Sequence, residues 1–192
     1  MNNDPIVRFK ELLAQAEQLG IQPYNAAAFA TTGKDLQPTV RMLLLKDVDD
    51  RGYVFYTNLQ SRKGRQLTDN PRASACFWWP QLQRQVRIEG RVELVSDPEA
   101  DEYFASRPRG SQIGAWASNQ SSELLSRDEL AAAVAFFTAK YRDQAIPRPP
   151  QWSGYRLVPE RIEFWKEQPE RLHEREVYTR QANDWKVSLL AP

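Results

Sequence analysis

The amino-acid sequence predicts an α+β protein in which helices flank an antiparallel β-barrel. Short apolar stretches of strand character recur along the chain, turn residues separate them, and helical patterns are gathered between them in a few places. The longest predicted strand is residues 84–94, where Val86, Ile88 and Val92 alternate with charged and amide side chains. One face of this strand therefore fits a core, and the other can hydrogen-bond a polar ligand.

Composition narrows the class of protein. The 192 residues, 41% hydrophobic and 27% charged, are typical of a globular protein, and we take residues 1–192 as one domain. A formal net charge of +1 gives no overall field that would attract nucleic acid or an anionic membrane. The apolar run 130–137 is too short to span a bilayer, and charged residues interrupt the N-terminus, so we expect a cytoplasmic protein without a signal peptide.

The first half of the chain is predicted to form a helix, a series of strands and a second, short helix. Apolar residues recur at helical spacing over about residues 5–20, after Asp4. Ser61 has the position of an N-cap for a helix over 62–69. From about residue 26 the strands are expected at Ala26–Thr31, Val40–Lys46, Tyr53–Thr57, Ala73–Trp79 and Gln83–Val95. We expect the second and third of these to form a hairpin around a turn at 47–52.

The second half begins with two capping boxes. Ser96 and Ser126 each precede an acidic residue three positions later, which predicts helices ending near Ala105 and Arg142. The polar segment 106–123 is expected to be an irregular loop, and long loops of this kind often carry function. Four strands are expected after it, at Gly154–Val158, Arg161–Lys166, Arg171–Arg180 and Trp185–Leu190.

Three groups of cations beside hydroxyl or phenol groups indicate phosphate binding. Arg62 and Lys63 lie at a helix start, where backbone N–H groups favour an anion, although a solvated surface helix would have the same sequence. The second group is Tyr103, Arg107, Arg109 and Ser111. In the third, alternation along a predicted strand would place Arg171, His173 and Arg175 on one face. One histidine and one cysteine, Cys76, are too few for the usual zinc sites, and no Walker loop or GxGxxG motif is present.

Longer motifs run through the chain from about residue 41. They are RMLLLK at 41–46, FYTN at 55–58, SRKG at 61–64, RQVRIEG at 84–90, YF at 103–104 with SRP at 106–108, SQIGAWAS at 111–118 with QS at 120–121, IEFW at 162–165 and RLHER at 171–175. In these segments, and in their order, the chain resembles the pyridoxine/pyridoxamine 5′-phosphate oxidase family, whose members are FMN enzymes that make pyridoxal 5′-phosphate. Leu189 stands where the family often has arginine.

The resemblance implies an FMN-binding split barrel and a homodimer with FMN at the subunit interface. The implied cofactor contacts are Arg41, Lys46, Tyr56, Thr57, Arg62, Lys63, Gln85, Gln120, Ser121, Trp165 and Arg175. The implied substrate contacts are Lys46, Tyr103, Arg107, Ser111, Arg171 and His173, of which Arg171 and His173 are the implied catalytic residues. The implied reaction oxidises pyridoxamine or pyridoxine 5′-phosphate by hydride transfer from C4′ to the flavin, with O2 as acceptor and H2O2 as product.

Three other functions are compatible with parts of the sequence. Split-barrel relatives include F420-dependent and haem-related proteins, although these are not expected to keep the RLH and SRP motifs together. A flavin or pyridoxal phosphate carrier could retain the sites without turnover. An aromatic-rich barrel could also bind single-stranded nucleic acid through Trp78, Trp79 and Arg84, but the near-neutral charge argues against that.

Overall fold

The computed structural model describes residues 4–182 and 184–192, which form nine strands and five α-helices. The helices are α1 (Pro5–Gln18), α2 (Arg62–Asp69), α3 (Asp97–Ser106), α4 (Arg109–Ala117) and α5 (Arg127–Lys140). The strands are β1 (Ala26–Thr32), β2 (Pro38–Leu44), β3 (Asp47–Asp49), β4 (Gly52–Asn58), β5 (Arg72–Trp79), β6 (Arg84–Leu94), β7 (Trp152–Lys166), β8 (Glu174–Gln181) and β9 (Asp184–Leu189).

All nine strands belong to one antiparallel sheet, which curls into a half-barrel with the helices around it. The main path runs β2-β1-β5-β6-β7-β4-β3, and β8 and β9 continue from β7. Strand β7 pairs with β6 along most of its length, with β4 near its start and with β8 near its end. The predicted α+β fold with an antiparallel barrel is confirmed.

The core lies on the concave side of the sheet, where α1 closes it. Val86 and Ile88 of β6 are fully buried, as the alternation of the sequence predicts. Phe9 of α1 is also fully buried and packs edge-on against Tyr53 and Phe77, each at 4.9 Å between ring centroids. Each buried side chain of this size contributes roughly 1.5–3 kcal/mol to folding, so α1 is part of the core.

Strand β7 is one strand of 15 residues where the sequence predicted two. The pairing with β6 shifts by one residue between Glu89 and Gly90, which leaves Glu160 as the extra residue of a β-bulge. Gly90 is required at this point, because a Cβ there would lie 2.0 Å from the carbonyl oxygen of Val158. The predicted break at Pro159 is thus a bulge in a continuous strand.

The predicted hairpin between Val40–Lys46 and Tyr53–Thr57 is wrong. Strand β2 pairs with β1, and residues 47–49, predicted as part of a turn, form β3 and pair with β4. The Asp49 carboxylate accepts hydrogen bonds from the backbone N–H groups of Arg51 and Gly52, at 2.9 and 3.2 Å. These bonds close a tighter turn than the sequence pattern indicated.

Two further predictions are corrected. The segment predicted as an irregular loop contains α4, whose N-cap Pro108 makes no capping hydrogen bond, so the usual helix-start signal is missing. The strand predicted at Arg171–Arg180 begins only at Glu174. It begins late because Glu170 and Arg171 have positive φ values of 57° and 63°, within a 3₁₀ turn that Pro169 starts.

In the described part of the chain, none of the helices is long and apolar enough to cross a membrane.

Candidate functional site

The ammonium group of Lys63 joins three segments of the fold. It donates hydrogen bonds to Thr57 Oγ1 at 2.7 Å, to Gln120 Oε1 at 2.7 Å and to Ser61 Oγ at 3.2 Å. Thr57 lies near the end of β4, Ser61 caps α2, and Gln120 follows α4, so these three elements meet at one cation. Four residues that the sequence places in three separate motifs therefore lie together.

Two arginines extend this group into what we call the first cation cluster: Arg41, Arg62 and Lys63. Arg41 donates to the Phe29 carbonyl at 2.9 Å and to Thr31 Oγ1 at 2.7 Å, which are neutral acceptors. Among the described residues, no carboxylate forms an ion pair with any of the three cations. Burial lowers the pKa of Lys63 to about 8, with a further contribution from the charge of Arg41. The cluster therefore has the features of an anion site.

Local backbone geometry fixes the first cation cluster at the start of α2. The Ser61 side chain accepts a hydrogen bond from the Gly64 N–H at 3.2 Å, as an N-cap does. A Cβ on Gly64 would lie 2.0 Å from the Leu59 carbonyl oxygen, so the turn before α2 closes only around glycine. The helix start adds its own favourable field for an anion.

A second site is a cavity of about 350 Å³ lined by Arg107 and Ser111, among others. The guanidinium carbon of Arg107 lies 4.7 Å from the ring centre of Trp152, a cation–π distance. Arg107 Nη1 is buried and has no hydrogen-bond partner among the described residues. Burial lowers the pKa of Arg107. Arg107 also has no ion-pair partner among the described residues, so an anion in this cavity would supply a counter-charge for its guanidinium.

Aromatic rings form the wall of this cavity. Tyr56 stacks on Tyr103 at 4.0 Å and on Trp152 at 5.2 Å between ring centroids. Burial, and then the charges of Glu99 and Asp47, raise the pKa of Tyr56 to about 12, so its phenol stays protonated at neutral pH. The predicted site residues Tyr56 and Tyr103 are thus brought together, with Trp152 as a third ring that the sequence prediction did not assign.

Three of the predicted cofactor residues, Gln85, Trp165 and Arg175, form a row across neighbouring strands on the convex face, opposite the core. Gln85 of β6 pairs with Trp165 of β7, and Trp165 pairs with Arg175 of β8. Side chains of directly paired residues lie on the same face of a sheet. Trp78 of β5 pairs with Gln85 and extends the row, with its ring 5.7 Å from that of Trp165.

His173 lies beside this row, but the predicted strand face of Arg171, His173 and Arg175 does not form. The His173 ring is 4.5 Å from the Trp165 ring, and its Nδ1 accepts the Gln168 N–H at 3.2 Å, which leaves Nε2 for a ligand. Arg171 lies in the 3₁₀ turn outside β8 and is exposed. Trp165, His173 and Arg175 lie at the edge of a cavity of about 650 Å³, whose other walls include α1 residues and Phe164 on the core side of the sheet.

Lys46 and Ser121 are among the predicted residues that line neither cavity. Lys46 is exposed and lines a separate cavity of about 240 Å³ near Tyr24. Ser121 is exposed and has a positive φ of 73°, next to Gln120. Among the described residues, the cavity of Arg107 and the cavity of Trp165 share no lining residue. One chain therefore presents the predicted site as two separate halves.

Sequence reasoning gave no role to two residues that the structure brings to the site, Trp152 and Glu163. Glu163 is fully buried and accepts hydrogen bonds from the Arg175 guanidinium at 2.9 and 3.3 Å. The sequence feature that could have pointed to Glu163 is its carboxylate within the IEFW motif. Its partners Arg87 and Arg175 are on other strands, so they become visible only when the strand register is known.

The fold and the two half-sites define the class of protein. The structure aligns with PhzG from Burkholderia lata in complex with tetrahydrophenazine-1-carboxylic acid, at a TM-score of 0.93 and 37% identity, covering 98% of this chain and 93% of that chain. It also aligns with a pyridoxamine 5′-phosphate oxidase-related, FMN binding protein from Nostoc punctiforme, at a TM-score of 0.79 and 17% identity with both chains covered fully. The fold is that of the FMN-binding split barrels.

Sequence comparison defines the family. The model of the pyridoxamine 5′-phosphate oxidase family matches residues 13–166, and a pyridoxine 5′-phosphate oxidase C-terminal dimerisation region matches residues 152–192. A pyridoxine/pyridoxamine 5′-phosphate oxidase of Myxococcus xanthus is 55% identical over 190 residues, 98% of this chain and 92% of that protein. The chain belongs to the pyridoxine/pyridoxamine 5′-phosphate oxidase family.

Proposed function

We propose that the protein is an FMN-dependent oxidase that converts pyridoxamine 5′-phosphate and pyridoxine 5′-phosphate to pyridoxal 5′-phosphate, with O2 as acceptor and H2O2 as product. The observation that carries the proposal is a pair of cation groups without acidic partners in the described chain. They are Arg41, Arg62 and Lys63 at the start of α2, and Arg107 in a cavity that Thr57 and Gln120, the partners of Lys63, also line. A phosphorylated cofactor and a phosphorylated substrate need two such groups. Membership of the family supports the same reaction.

The first cation cluster would hold the phosphate of FMN. Arg62 supplies a planar fork that fits phosphate oxygens, and Lys63 supplies a charge fixed by Thr57 and Gln120. The start of α2 adds backbone N–H groups. The phosphate of FMN fits these residues, because it would provide the negative charge that the first cation cluster lacks.

The cavity of Arg107 would hold the phosphate of the substrate. Its volume of about 350 Å³, the unsatisfied Nη1 of Arg107 and the hydroxyl of Ser111 suit a small phosphate ester. Tyr103 and the more distant Lys46 complete the proposed contacts. Since both substrates carry the same phosphate, this cavity would fix their common end.

The row on the convex face would lie against the flavin ring. Gln85 can hydrogen-bond the ring system, Trp165 can pack on it, and Arg175 can place positive charge beside it. Bound FMN would supply the acceptor for the hydride from C4′ of the substrate. Arg171 and His173 would orient the pyridine ring, His173 through the free Nε2 that its Nδ1 contact leaves.

We further propose that two copies of the chain complete each site. The Arg107 cavity and the row of Gln85, Trp165 and Arg175 lie apart in one chain, and Trp165, His173 and Arg175 fall within the matched dimerisation region. Val40, Met42 and Leu44 of the edge strand β2 are 68%, 63% and 41% exposed and share one face. An exposed apolar strand face of this kind favours contact with a partner chain.

The similarity to PhzG supports a second candidate, a flavin-dependent oxidase of a tricyclic carboxylic acid. A guanidinium binds carboxylate and phosphate alike, so the phosphate ester is favoured instead by the identity of 55% to a pyridoxine/pyridoxamine 5′-phosphate oxidase, against 37% to PhzG. The two candidates differ in the substrate that leads to peroxide release.

The test is to purify the protein, record flavin absorption and measure peroxide release. We expect a yellow protein that releases peroxide with pyridoxamine 5′-phosphate and not with a tetrahydrophenazine carboxylic acid. Arg171→Met should lower kcat/KM strongly and leave FMN bound. A protein that cannot take up FMN would refute the proposal, and bound FMN without peroxide release would favour a carrier.

A further inference from the structure

Glu163 is a buried carboxylate surrounded by three arginines. It is 1% exposed and lies on the convex face of β7, between the pairing partners Arg87 of β6 and Val177 of β8. Its oxygens accept hydrogen bonds from Arg175 Nε at 2.9 Å, from Arg175 Nη2 at 3.3 Å and from Arg161 Nη2 at 3.5 Å. Arg87 Nη2 donates to the same carboxylate.

Glu163 and its arginine partners together carry more positive than negative charge. Arg161 has a second partner, the Glu89 carboxylate at 3.2 Å, whereas Arg87 and Arg175 share Glu163 as their acidic partner in the described chain. Burial alone would raise the pKa of Glu163, but hydrogen bonds from Arg175 and Arg87 outweigh burial and hold it below its ordinary value. Glu163 is therefore ionised at neutral pH, and a net positive charge remains on its arginine partners.

Contacts on two sides fix the guanidinium of Arg175. Arginine has five N–H donors in one plane. Glu163 accepts two of them, and the carbonyl oxygen of Ala191, next to the C-terminus, accepts one from Nη1 at 3.0 Å. The Arg175 carbonyl in turn accepts the Leu190 N–H at 2.9 Å. In the described chain, two donors, one on each terminal nitrogen, remain for a ligand.

We propose that Glu163 is a positioning residue for the flavin side of the site, since it holds Arg175 so that its two remaining N–H donors face the bound cofactor. The inference rests on the proposed function, in which Arg175 contacts FMN. A neutral residue at 163 would leave Arg175 with only the Ala191 contact and would leave Arg87 and Arg175 as uncompensated neighbouring charges. Arg175 would then lose both its fixed orientation and its counter-charge.

The test measures FMN binding to the apoprotein by quenching of flavin fluorescence. Glu163→Gln should weaken FMN binding about tenfold, the size of effect that loss of a charged hydrogen-bond partner produces. Glu160→Gln is the matched control, because it removes a carboxylate from the same strand whose ion-pair partners in the described chain are Arg72 and Arg91 at the surface. Its FMN affinity should stay within about twofold of the wild-type value.

A double-mutant cycle separates positioning from general destabilisation. In an Arg175→Met background, Glu163→Gln should have no further effect on the FMN Kd, because a residue that acts through Arg175 has nothing left to orient. If Glu163→Gln does not fold, Glu163→Asp is measured instead. This variant keeps the charge but withdraws the carboxylate by one methylene, so it should also weaken FMN binding.

The FMN affinities of the wild-type protein and the variants separate a failure of the role of Glu163 from a failure of the proposed function. If the wild-type apoprotein takes up no FMN, or if Arg175→Met binds FMN as the wild type does, the proposed site itself is wrong. If Arg175→Met weakens FMN binding but both Glu163 variants bind as the wild type does, Glu163 is not a positioning residue. Equal effects of Glu163→Gln in both backgrounds would assign it a structural role only.

Discussion

At the scale of single residues, Lys63 shows how the fold prepares a charge for a ligand. Its pKa is lowered from 10.5 to about 8 by burial and by the nearby charge of Arg41. Its three N–H donors are used by neutral oxygens of Thr57, Ser61 and Gln120. The ammonium is held in place without being neutralised, so a phosphate that arrives meets a fixed and uncompensated charge.

The lowered pKa of Lys63 predicts how FMN binding depends on pH. Below about pH 8 the free protein carries the Lys63 proton, and above it the proton is lost, so FMN affinity should fall as pH rises from about 7 to about 9.5. Fluorescence titrations at fixed ionic strength measure this fall. Lys63→Arg keeps the charge over this range and should flatten the profile. An unchanged pH profile in Lys63→Arg would assign the dependence to another group.

The same shift has a consequence for the stability of the apoprotein. Between about pH 8 and 10.5, the unfolded chain binds a proton at Lys63 that the folded chain does not. The free energy of unfolding therefore gains a contribution that increases with pH across this window.

Residue identities were the more predictable part of the site. Cations at a helix start and beside hydroxyl groups pointed to Arg62, Lys63, Arg107 and Ser111 as candidate phosphate contacts, whereas Arg41 and Gln120 followed only from the family resemblance. Trp152 and Glu163 were missed because their roles depend on residues of other strands. The implied roles of all the predicted site residues stay predictions, and Lys46, Ser121 and Arg171 line neither of the two cavities.

At the scale of elements, α2 is the helix that the sequence defined best. Ser61 as N-cap and the bounds at residues 62–69 follow from local chemistry, and the structure has the same bounds. Helix α4 and the β3–β4 hairpin were not predicted. The first lacks a capping side chain, and the second is set by backbone contacts of Asp49 that no periodicity reveals.

The turn before α2 gives a prediction for stability. Gly64→Ala would place a Cβ 2.0 Å from the Leu59 carbonyl oxygen, so the backbone must move. We expect a loss of about 2 kcal/mol in the free energy of unfolding by urea titration, together with weaker FMN binding. Gly110→Ala in α4 is the control, since a Cβ there meets no atom within 4 Å. Equal stability of the two variants would contradict the proposed steric role.

At the scale of the whole molecule, the site is divided. The first cation cluster and the Arg107 cavity lie around β4, α2 and α4, whereas the row of Gln85, Trp165 and Arg175 lies on the convex face of β6–β8. The order of motifs in the sequence does not reveal this division, because motifs of both halves alternate along the chain.

The proposed dimer predicts the effect of a charge on the edge strand. Met42→Lys adds a cation to an apolar face formed with Val40 and Leu44, so it should shift the protein toward monomers in analytical ultracentrifugation. FMN affinity should fall with it, because the two half-sites would separate. Leu36→Lys changes an isolated residue that is 76% exposed in the neighbouring loop and should leave the assembly unchanged. A Met42→Lys dimer with full FMN occupancy would contradict the proposed interface.

The bulge at Glu160 limits which changes of length strand β7 can tolerate. Trp152 and Trp165 are thirteen residues apart, about 43 Å along a strand, and an odd separation would normally place them on opposite faces. The extra residue restores the alternation, so that both tryptophans lie on the convex face, one in each half of the site. A deletion of Glu160 alone would turn Trp152 and Arg156 toward the core. An insertion or deletion of one residue in this strand would therefore reverse the faces of the side chains beyond it, whereas a change of two residues would keep them.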